Sequence, residues 1–144
     1  MDDEVEFPAH RKQGDSVTLW DVVSLVPDNE LSWSILEYDG TGEIPIDLDY
    51  DALEEEIRSQ PNGIVVSWQL AKRFAKSVRS LYDIDLIGTR SFEGVPEARV
   101  SGDLKSVCQV AIRCFDASYW TLYASDPELM NRFADFAKQV SESQ

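Results

Sequence analysis

The feature that most constrains the fold is a pair of apolar runs near the C-terminal end of the chain. SVCQVAIRCFD and SYWTLYA both favour strands, and Asp116 and Ala117 are the turn residues where the runs meet. Two strands joined by so short a turn must pair antiparallel. Asp-Ala is not the favoured Asn-Gly signal, so the hairpin is predicted from the two runs rather than from the turn itself.

Four segments favour helices, because apolar residues recur there at helical spacing behind a capping residue. In chain order they are LWDVVSLV after Thr18, residues 51–60, WQLAKRFAKSVRSLY after Ser67, and the segment that follows Ser125. In the last of these, Ser125 and Glu128 form a capping-box pattern, and Pro127 occupies the first turn.

The remaining segments predict a single domain. Residues 31–39 and 84–89 favour strands, residues 90–103 favour a long loop or an irregular hairpin, and residues 1–15 are expected to form a loose N-terminal arm. Strands and helices do not alternate strictly, and 43% of the 144 residues are hydrophobic, enough for one packed core. We therefore expect one α+β domain over residues 16–144, with a mostly antiparallel sheet packed against several helices.

Cysteine usage and the absence of targeting signals predict a cytoplasmic protein. Along a strand, Cys108 and Cys114 would lie about 20 Å apart, whereas a disulfide needs Cα atoms within about 7 Å. Both are expected to be buried free thiols, which suits a reducing compartment. No apolar run reaches the ~18 residues of a membrane span, and the acidic start is unlike a secretory signal.

The charge of the chain is very unevenly distributed. Residues 1–57 carry 17 acidic and 2 basic side chains, whereas residues 58–144 carry 10 acidic and 11 basic ones. Nucleic acid is not expected as a ligand, because its phosphates require clustered Lys and Arg. An anionic membrane is disfavoured for the same reason. The charge favours either a basic protein partner or a surface that only keeps the protein soluble.

The segment Glu37–Glu56 concentrates this charge, with nine carboxylates in twenty residues and no Lys or Arg. Tyr50 stands among these acids, either as an aromatic interface anchor or packed against the helix that starts at Asp51. Lys72, Arg73, Lys76 and Arg79 could instead pair with the segment and neutralise it. The candidate partner-binding residues are Glu37, Asp39, Glu43, Asp47, Asp49, Tyr50, Asp51, Glu54, Glu55 and Glu56.

The same segment only partly matches a calcium-binding EF-hand loop. A loop that starts at Glu37 places Gly42 and Ile44 correctly, but Leu48 stands where the bidentate Glu belongs and Pro45 lies inside the loop. We therefore predict no metal site and no cofactor.

Catalytic signatures are also missing. The single histidine, His10, lies in the predicted arm, and no phosphate-binding glycine motif is present. Asp47 and Asp49 alternate with neighbouring residues, but nothing marks one carboxylate as buried and another as solvated, as acid–base catalysis requires. The sequence therefore predicts a protein that is not an enzyme.

Four segments within residues 17–137 carry structural motifs. They are VTLWDVVSLVP, WSILEYDGTGEIP, NGIVVSWQLAKRFAKSV with YDIDLIG, and CQVAIRCFDASYWTLYASDPELMNRF. The motifs are a Trp-Ser-Ile-Leu strand leading to a Gly-x-Gly turn, a Ser-Trp helix start and an Asp-x-Ser-Tyr-Trp hairpin. In these segments the chain resembles the immunity proteins of bacterial polymorphic-toxin systems, which are the cognate inhibitors encoded beside contact-dependent and Rhs-type toxins.

This resemblance implies a non-catalytic protein that binds and neutralises a cognate, basic toxin domain, by occluding its active site. Because contact residues in such proteins vary with the toxin, the candidate interface is chosen by charge and not carried over by motif. Two alternatives stay open. One is a small cation-binding protein or metal-dependent enzyme that uses the carboxylates of residues 37–56, and the other is a DNA-mimicking inhibitor of a nuclease.

Overall fold

The structure is a computed structural model that describes residues 4–12, 14–43 and 50–142, without the side chains of Tyr50 and Asp51. These residues form six strands, five α-helices and one 3-10 helix. In chain order the elements are β1 (Glu4–Pro8), α1 (Leu19–Val23), β2 (Ser32–Gly42), α2 (Tyr50–Ser59), β3 (Ile64–Val66), α3 (Trp68–Ser77), β4 (Val78–Thr89), α4 (Val95–Ser101), the 3-10 helix Leu104–Ser106, β5 (Val110–Phe115), β6 (Tyr119–Ala124) and α5 (Pro127–Glu142).

All six strands belong to one sheet in the order β1-β6-β5-β4-β2-β3, and every neighbouring pair is antiparallel. The predicted α+β domain with an antiparallel sheet is confirmed. The two longest strands, β2 and β4, lie next to each other and share a register interrupted by three bulges. Together these two strands supply four carboxylates to the candidate site.

The two faces of the sheet are covered to different extents. Helices α1, α3 and α5 pack on one face and enclose the main core, whose largest buried side chains are Trp33, Phe74, Trp120 and Phe133. On the other face, α4 and the 3-10 helix cover a smaller cluster around Ile87. The rest of that second face stays open along β2, β4 and β5.

The hairpin predicted from the two apolar runs is confirmed as β5 and β6. Asp116 and Ala117 both have positive φ, at 51° and 54°, as a two-residue type I′ turn requires. Neither residue is glycine, so the turn needs support from elsewhere. Strand β4 supplies it, since the Asp116 N–H donates to Asp83 Oδ1 at 2.9 Å and the Ala117 N–H donates to the Tyr82 carbonyl at 2.8 Å.

The helix starts follow the capping residues closely. Thr18 and Asp21 form a capping box at α1, and the Ser67 hydroxyl accepts from the Leu70 N–H at 3.1 Å at α3. At α5 the cap is one residue later than predicted. The Asp126 carboxylate, and not Ser125, accepts the Leu129 N–H at 3.0 Å.

The predicted loose arm over residues 1–15 is wrong for Glu4–Pro8, which form β1 and pair with residues 119–123 of β6. Five residues are too few to show periodicity, but β6 would otherwise be an open sheet edge. The buried Phe7 ring meets Phe136 of α5 edge-on, with ring centroids 5.6 Å apart. Glu4–Pro8 are therefore part of the sheet and of the core.

Two further predictions, one for the helix after Ser67 and one for residues 90–103, are wrong. The helix predicted after Ser67 stops at Ser77, because residues 78–82 pair with β2 as the first part of β4. Residues 90–103 are not a loop throughout, since they include α4. Gly94 and Gly102 bound this helix with left-handed φ values of 84° and 86°, a conformation that glycine adopts readily.

Both cysteines are buried free thiols, as predicted, although Cys108 precedes β5 instead of lying within it. Burial raises the pKa of each thiol to about 12, which leaves both protonated and unreactive at neutral pH. Among the helices of the described ranges, none combines the length and the apolar character needed to cross a membrane.

Candidate functional site

The pairing of β2 with β4 brings four carboxylates together on the open face of the sheet. Glu37 lies directly opposite Asp85, and Asp39 lies directly opposite Asp83. All four side chains line one groove of about 550 Å³, which we call the acidic groove. Like charges directly opposite each other destabilise a sheet, so this arrangement costs the fold stability.

Neighbouring elements form the walls of the acidic groove. Helix α2 contributes Glu54 and Arg58, which form an ion pair with each other one helical turn apart. Helix α4 contributes Arg99, and β5 contributes Arg113. Three arginines therefore face the groove, and what each one binds decides how much negative charge remains.

Arg113 is the arginine that neutralises a strand carboxylate. Its Nε donates to Asp85 Oδ1 at 2.8 Å. Asp83 accepts the backbone N–H of Asp116 described above, which leaves its charge in place. The side chain of Glu37 forms no hydrogen bond or ion pair with any described residue, although its backbone belongs to the β2–β4 pairing.

Arg99 lies close to these acids but is committed to the backbone. Both terminal nitrogens of its guanidinium donate to main-chain carbonyls at the end of α2, in the turn that follows it, and on β2. The acceptors are the carbonyls of Leu36, Ile57, Gln60 and Pro61. Arg99 thus ties α2 to the sheet and fixes one wall of the groove.

The titration behaviour of the acids agrees with crowded negative charge. Burial, Asp85 and Asp83 together raise the pKa of Glu37, against the opposing effect of Arg113 and Arg99. Burial also raises the pKa of Asp85, even though the hydrogen bond from Arg113 acts in the other direction. The groove therefore holds carboxylates that a cation from outside would stabilise.

An exposed aromatic pair lies on the same face of the sheet. Side chains alternate along β5, so Phe115 points to the same side as Arg113, and Tyr119 is its direct partner on β6. The ring centroids are 5.7 Å apart, and 60% of Phe115 and 36% of Tyr119 are exposed. This face of the sheet therefore exposes aromatic side chains as well as charged ones.

The structure distributes the candidate residues unevenly. Glu37, Asp39 and Glu54 line the acidic groove, while Glu43, Glu55 and Glu56 are exposed outside it. Asp47 and Asp49 lie outside the described residues. Tyr50 and Asp51 begin α2, but their side chains are not described.

The sequence missed half of the groove. Asp83 and Asp85 belong to the electrically balanced part of the chain, and Phe115 is predicted only as part of a hairpin. Tyr119 is predicted to be a core residue, which is wrong, because 36% of it is exposed. Only the non-local pairing of β4 with β2 places Asp85 opposite Glu37 and Asp83 opposite Asp39, and only the pairing of β4 with β5 brings Phe115 to the same face of the sheet. Asp85 lies in the strand predicted over residues 84–89 and Asp83 lies just before it, so their alternating spacing was the signal that could have found them.

None of the four cations of α3 and β4 forms an ion pair with a described carboxylate of the acidic segment. Lys72 Nζ lies 3.0 Å from Asp28 Oδ1, and Lys76 Nζ lies 4.6 Å from the Trp20 ring centroid. Arg73 and Arg79 form no ion pair with any described residue. Within the described residues, the pairing suggested from the sequence is absent.

No group of three or more His, Cys, Asp or Glu side chains could hold a metal ion in the part of the chain that the structure describes. Comparison with known proteins gives no match, whether to a family model, to a curated protein or to a solved structure.

Glu37→Gln is expected to raise the free energy of unfolding at neutral pH by roughly 0.5 kcal/mol, a small effect because exposed charges are screened. The folded state holds Glu37 with a raised pKa, so ionisation penalises folding at pH values above that pKa. As the pH falls through the folded-state pKa, the wild type recovers and the advantage of the variant disappears. Urea unfolding at about pH 7 and about pH 3.5, on either side of an ordinary Glu pKa, measures this difference.

Glu55→Gln is the matched control, because it removes one exposed α2 carboxylate that does not line the groove. It should leave stability almost unchanged at both pH values. A Glu37→Gln variant that is less stable than wild type at neutral pH would contradict the picture of crowded charge.

Proposed function

We propose that this chain is a non-catalytic immunity protein that binds a cognate bacterial toxin domain through the acidic groove and blocks the toxin's active site. The observation that carries the proposal is the pair of like-charged cross-strand contacts, Glu37 with Asp85 and Asp39 with Asp83, in an open groove. A sheet surface that only had to be soluble would avoid placing acids directly opposite one another.

A basic partner removes the cost that these contacts impose. A Lys or Arg side chain that enters the groove would form charge-assisted hydrogen bonds with carboxylates that now repel each other. Arg113 already does this for Asp85, which demonstrates the geometry within the chain itself. Glu37, whose side chain has no hydrogen-bond or ion-pair partner among the described residues, is an exposed acid that such a side chain could pair with.

The net charge of the chain supports rapid recognition. At a formal net charge of −14, the protein attracts a basic domain over distances longer than any contact, and this raises the association rate. Phe115 and Tyr119 then supply apolar and aromatic area beside the charges, and Tyr is enriched among the residues that dominate binding energy.

The test is protection from toxicity. The C-terminal domain encoded immediately upstream of this gene is expressed in a susceptible bacterium, with and without this protein, and survivors are counted. Killing that this protein relieves, together with a complex that co-purifies, is the expected result. A harmless upstream product, or killing that continues at equal expression, would contradict the proposal.

A Glu30→Gln, Glu128→Gln, Asp135→Asn variant serves as the charge-matched control. These exposed acids lie outside the groove, so the variant should protect as well as wild type. Protection should fall when Glu37, Asp39 and Asp83 are neutralised together instead.

A further inference from the structure

The tip of the β5–β6 hairpin, residues 115–119, is attached to β4 by hydrogen bonds that lie outside the strand pairing. The residue pairing of β4 with β5 stops at Cys114, so the ladder does not extend to the tip. The two hydrogen bonds from the turn to β4 replace it. Only one of them is accepted by a side chain, that of Asp83, whose Oδ1 lies 2.9 Å from the Asp116 nitrogen.

The turn is supported from both sides. Asp116 and Ala117 adopt positive φ without being glycine, and this conformation has an energetic cost for L-residues. On the side of β1, the Ser118 carbonyl accepts the Ala9 N–H at 2.9 Å. On the side of β4, the carboxylate of Asp83 is the support that a substitution can remove. We expect the turn to relax when that acceptor is lost.

The exposed aromatic pair flanks this turn directly. Phe115 ends β5, Tyr119 begins β6, and their ring centroids are 5.7 Å apart. Because 60% of Phe115 is exposed, burial in the core does not fix the position of its ring. The conformation of the turn between the two residues therefore determines where the pair lies relative to the acidic groove.

Asp83 also lines the acidic groove, where it lies opposite Asp39 of β2. Its Oδ1 accepts from the turn, whereas its Oδ2 forms no hydrogen bond with any described residue. The carboxylate can thus hold the turn with one oxygen and contact a cation in the groove with the other. The same side chain belongs to the groove and supports the aromatic pair.

We propose that Asp83 is a positioning residue that couples the acidic groove to the aromatic pair. Its Oδ1 holds the turn and so keeps Phe115 and Tyr119 beside the groove, while its negative charge helps to attract the basic partner. The inference rests on the proposed immunity function, because the coupling affects binding only if one partner contacts both the groove and the rings. Charge and hydrogen-bond acceptance at Asp83 are separable by substitution.

The first test compares Asp83→Asn with Asp83→Ala in the free protein. Each variant loses one negative charge, but the Asn side-chain carbonyl can still accept the Asp116 N–H. Hydrogen exchange of the Asp116 amide, followed by NMR, should be at least about tenfold faster in the Ala variant than in the Asn variant. If the Ala variant does not fold, Asp83→Val, which favours a strand and has no acceptor, takes its place.

The second test measures binding to the toxin domain encoded immediately upstream of this gene. Because their charges are equal, the Asn and Ala variants should associate at the same rate, but the Ala variant should dissociate about fivefold faster. Adding Phe115→Ala should speed dissociation of the Asn variant. It should change the Ala variant little, because the aromatic pair is already displaced there.

Equal exchange rates in the Asn and Ala variants would overturn the inference and leave the immunity function standing. Equal dissociation rates, or an effect of Phe115→Ala that is the same in both backgrounds, would also overturn it. A wild-type chain that forms no complex with the toxin domain would contradict the proposed function and this inference with it. The exchange comparison needs no partner, so it shows in that case whether Asp83 still holds the turn.

Discussion

Arg99→Ala is expected to lower the free energy of unfolding by about 3 kcal/mol, because its charged guanidinium donates hydrogen bonds to four backbone carbonyls. Most of these carbonyls belong to the end of α2 and the turn after it, where helical bonding leaves acceptors without partners. The positive charge also lies favourably at this negative end of the helix. Urea unfolding monitored by tryptophan fluorescence measures the loss.

Arg99→Lys separates charge from hydrogen-bond geometry. An ammonium group is a compact point charge and cannot reach four carbonyls spread over two elements, so we expect it to recover less than half of the lost stability. Arg90→Ala, which removes an exposed arginine with no side-chain hydrogen bond to a described residue, should cost little. An Arg99→Ala variant as stable as Arg90→Ala would refute the assigned role.

Local signals in the sequence predicted the elements that form without help from distant residues. Thr18 and Ser67 start their helices because each cap is satisfied within three residues. The β5–β6 hairpin follows from two adjacent apolar runs. The Asp116-Ala117 turn, however, is also stabilised by two hydrogen bonds to β4, which no local sequence pattern indicates.

Non-local pairing explains the predictions that failed. Val78 and Leu81 continue the apolar stripe of α3 and so favour a longer helix, but pairing with Gly42 and its neighbours makes them strand residues. Residues 4–8 give no signal alone, yet they close the edge of the sheet against β6. Tertiary contacts override local propensity at both places.

The candidate site was half predictable for the same reason. The sequence identified the acidic stretch, and two of its strand residues, Glu37 and Asp39, do line the groove. It could not identify the partners Asp83 and Asp85, since a cross-strand contact depends on register and not on sequence proximity. The pairing of the strands, and not the density of acids along the chain, therefore determines which strand carboxylates lie together in the groove.

Neutralising three acids of the groove should slow association with the proposed toxin partner at least about tenfold at low salt, because electrostatic steering accounts for rate enhancements of that size. The variant is Glu37→Gln, Asp39→Asn, Asp83→Asn. Its association rate should also depend less steeply on salt concentration, since fewer charges are left to be screened. Stopped-flow fluorescence over a range of ionic strength measures both quantities.

Position and charge are separated by the control triple variant at Glu30, Glu128 and Asp135, which changes the net charge by the same amount. Its association rate should fall much less, because the removed charges do not surround the docking surface. Equal slowing by both variants would mean that total charge, and not the acidic groove, directs the encounter.

Phe115→Ala is expected to change dissociation and not association. An uncharged ring that is 60% exposed contributes after contact, so its removal should speed dissociation and leave association nearly unchanged.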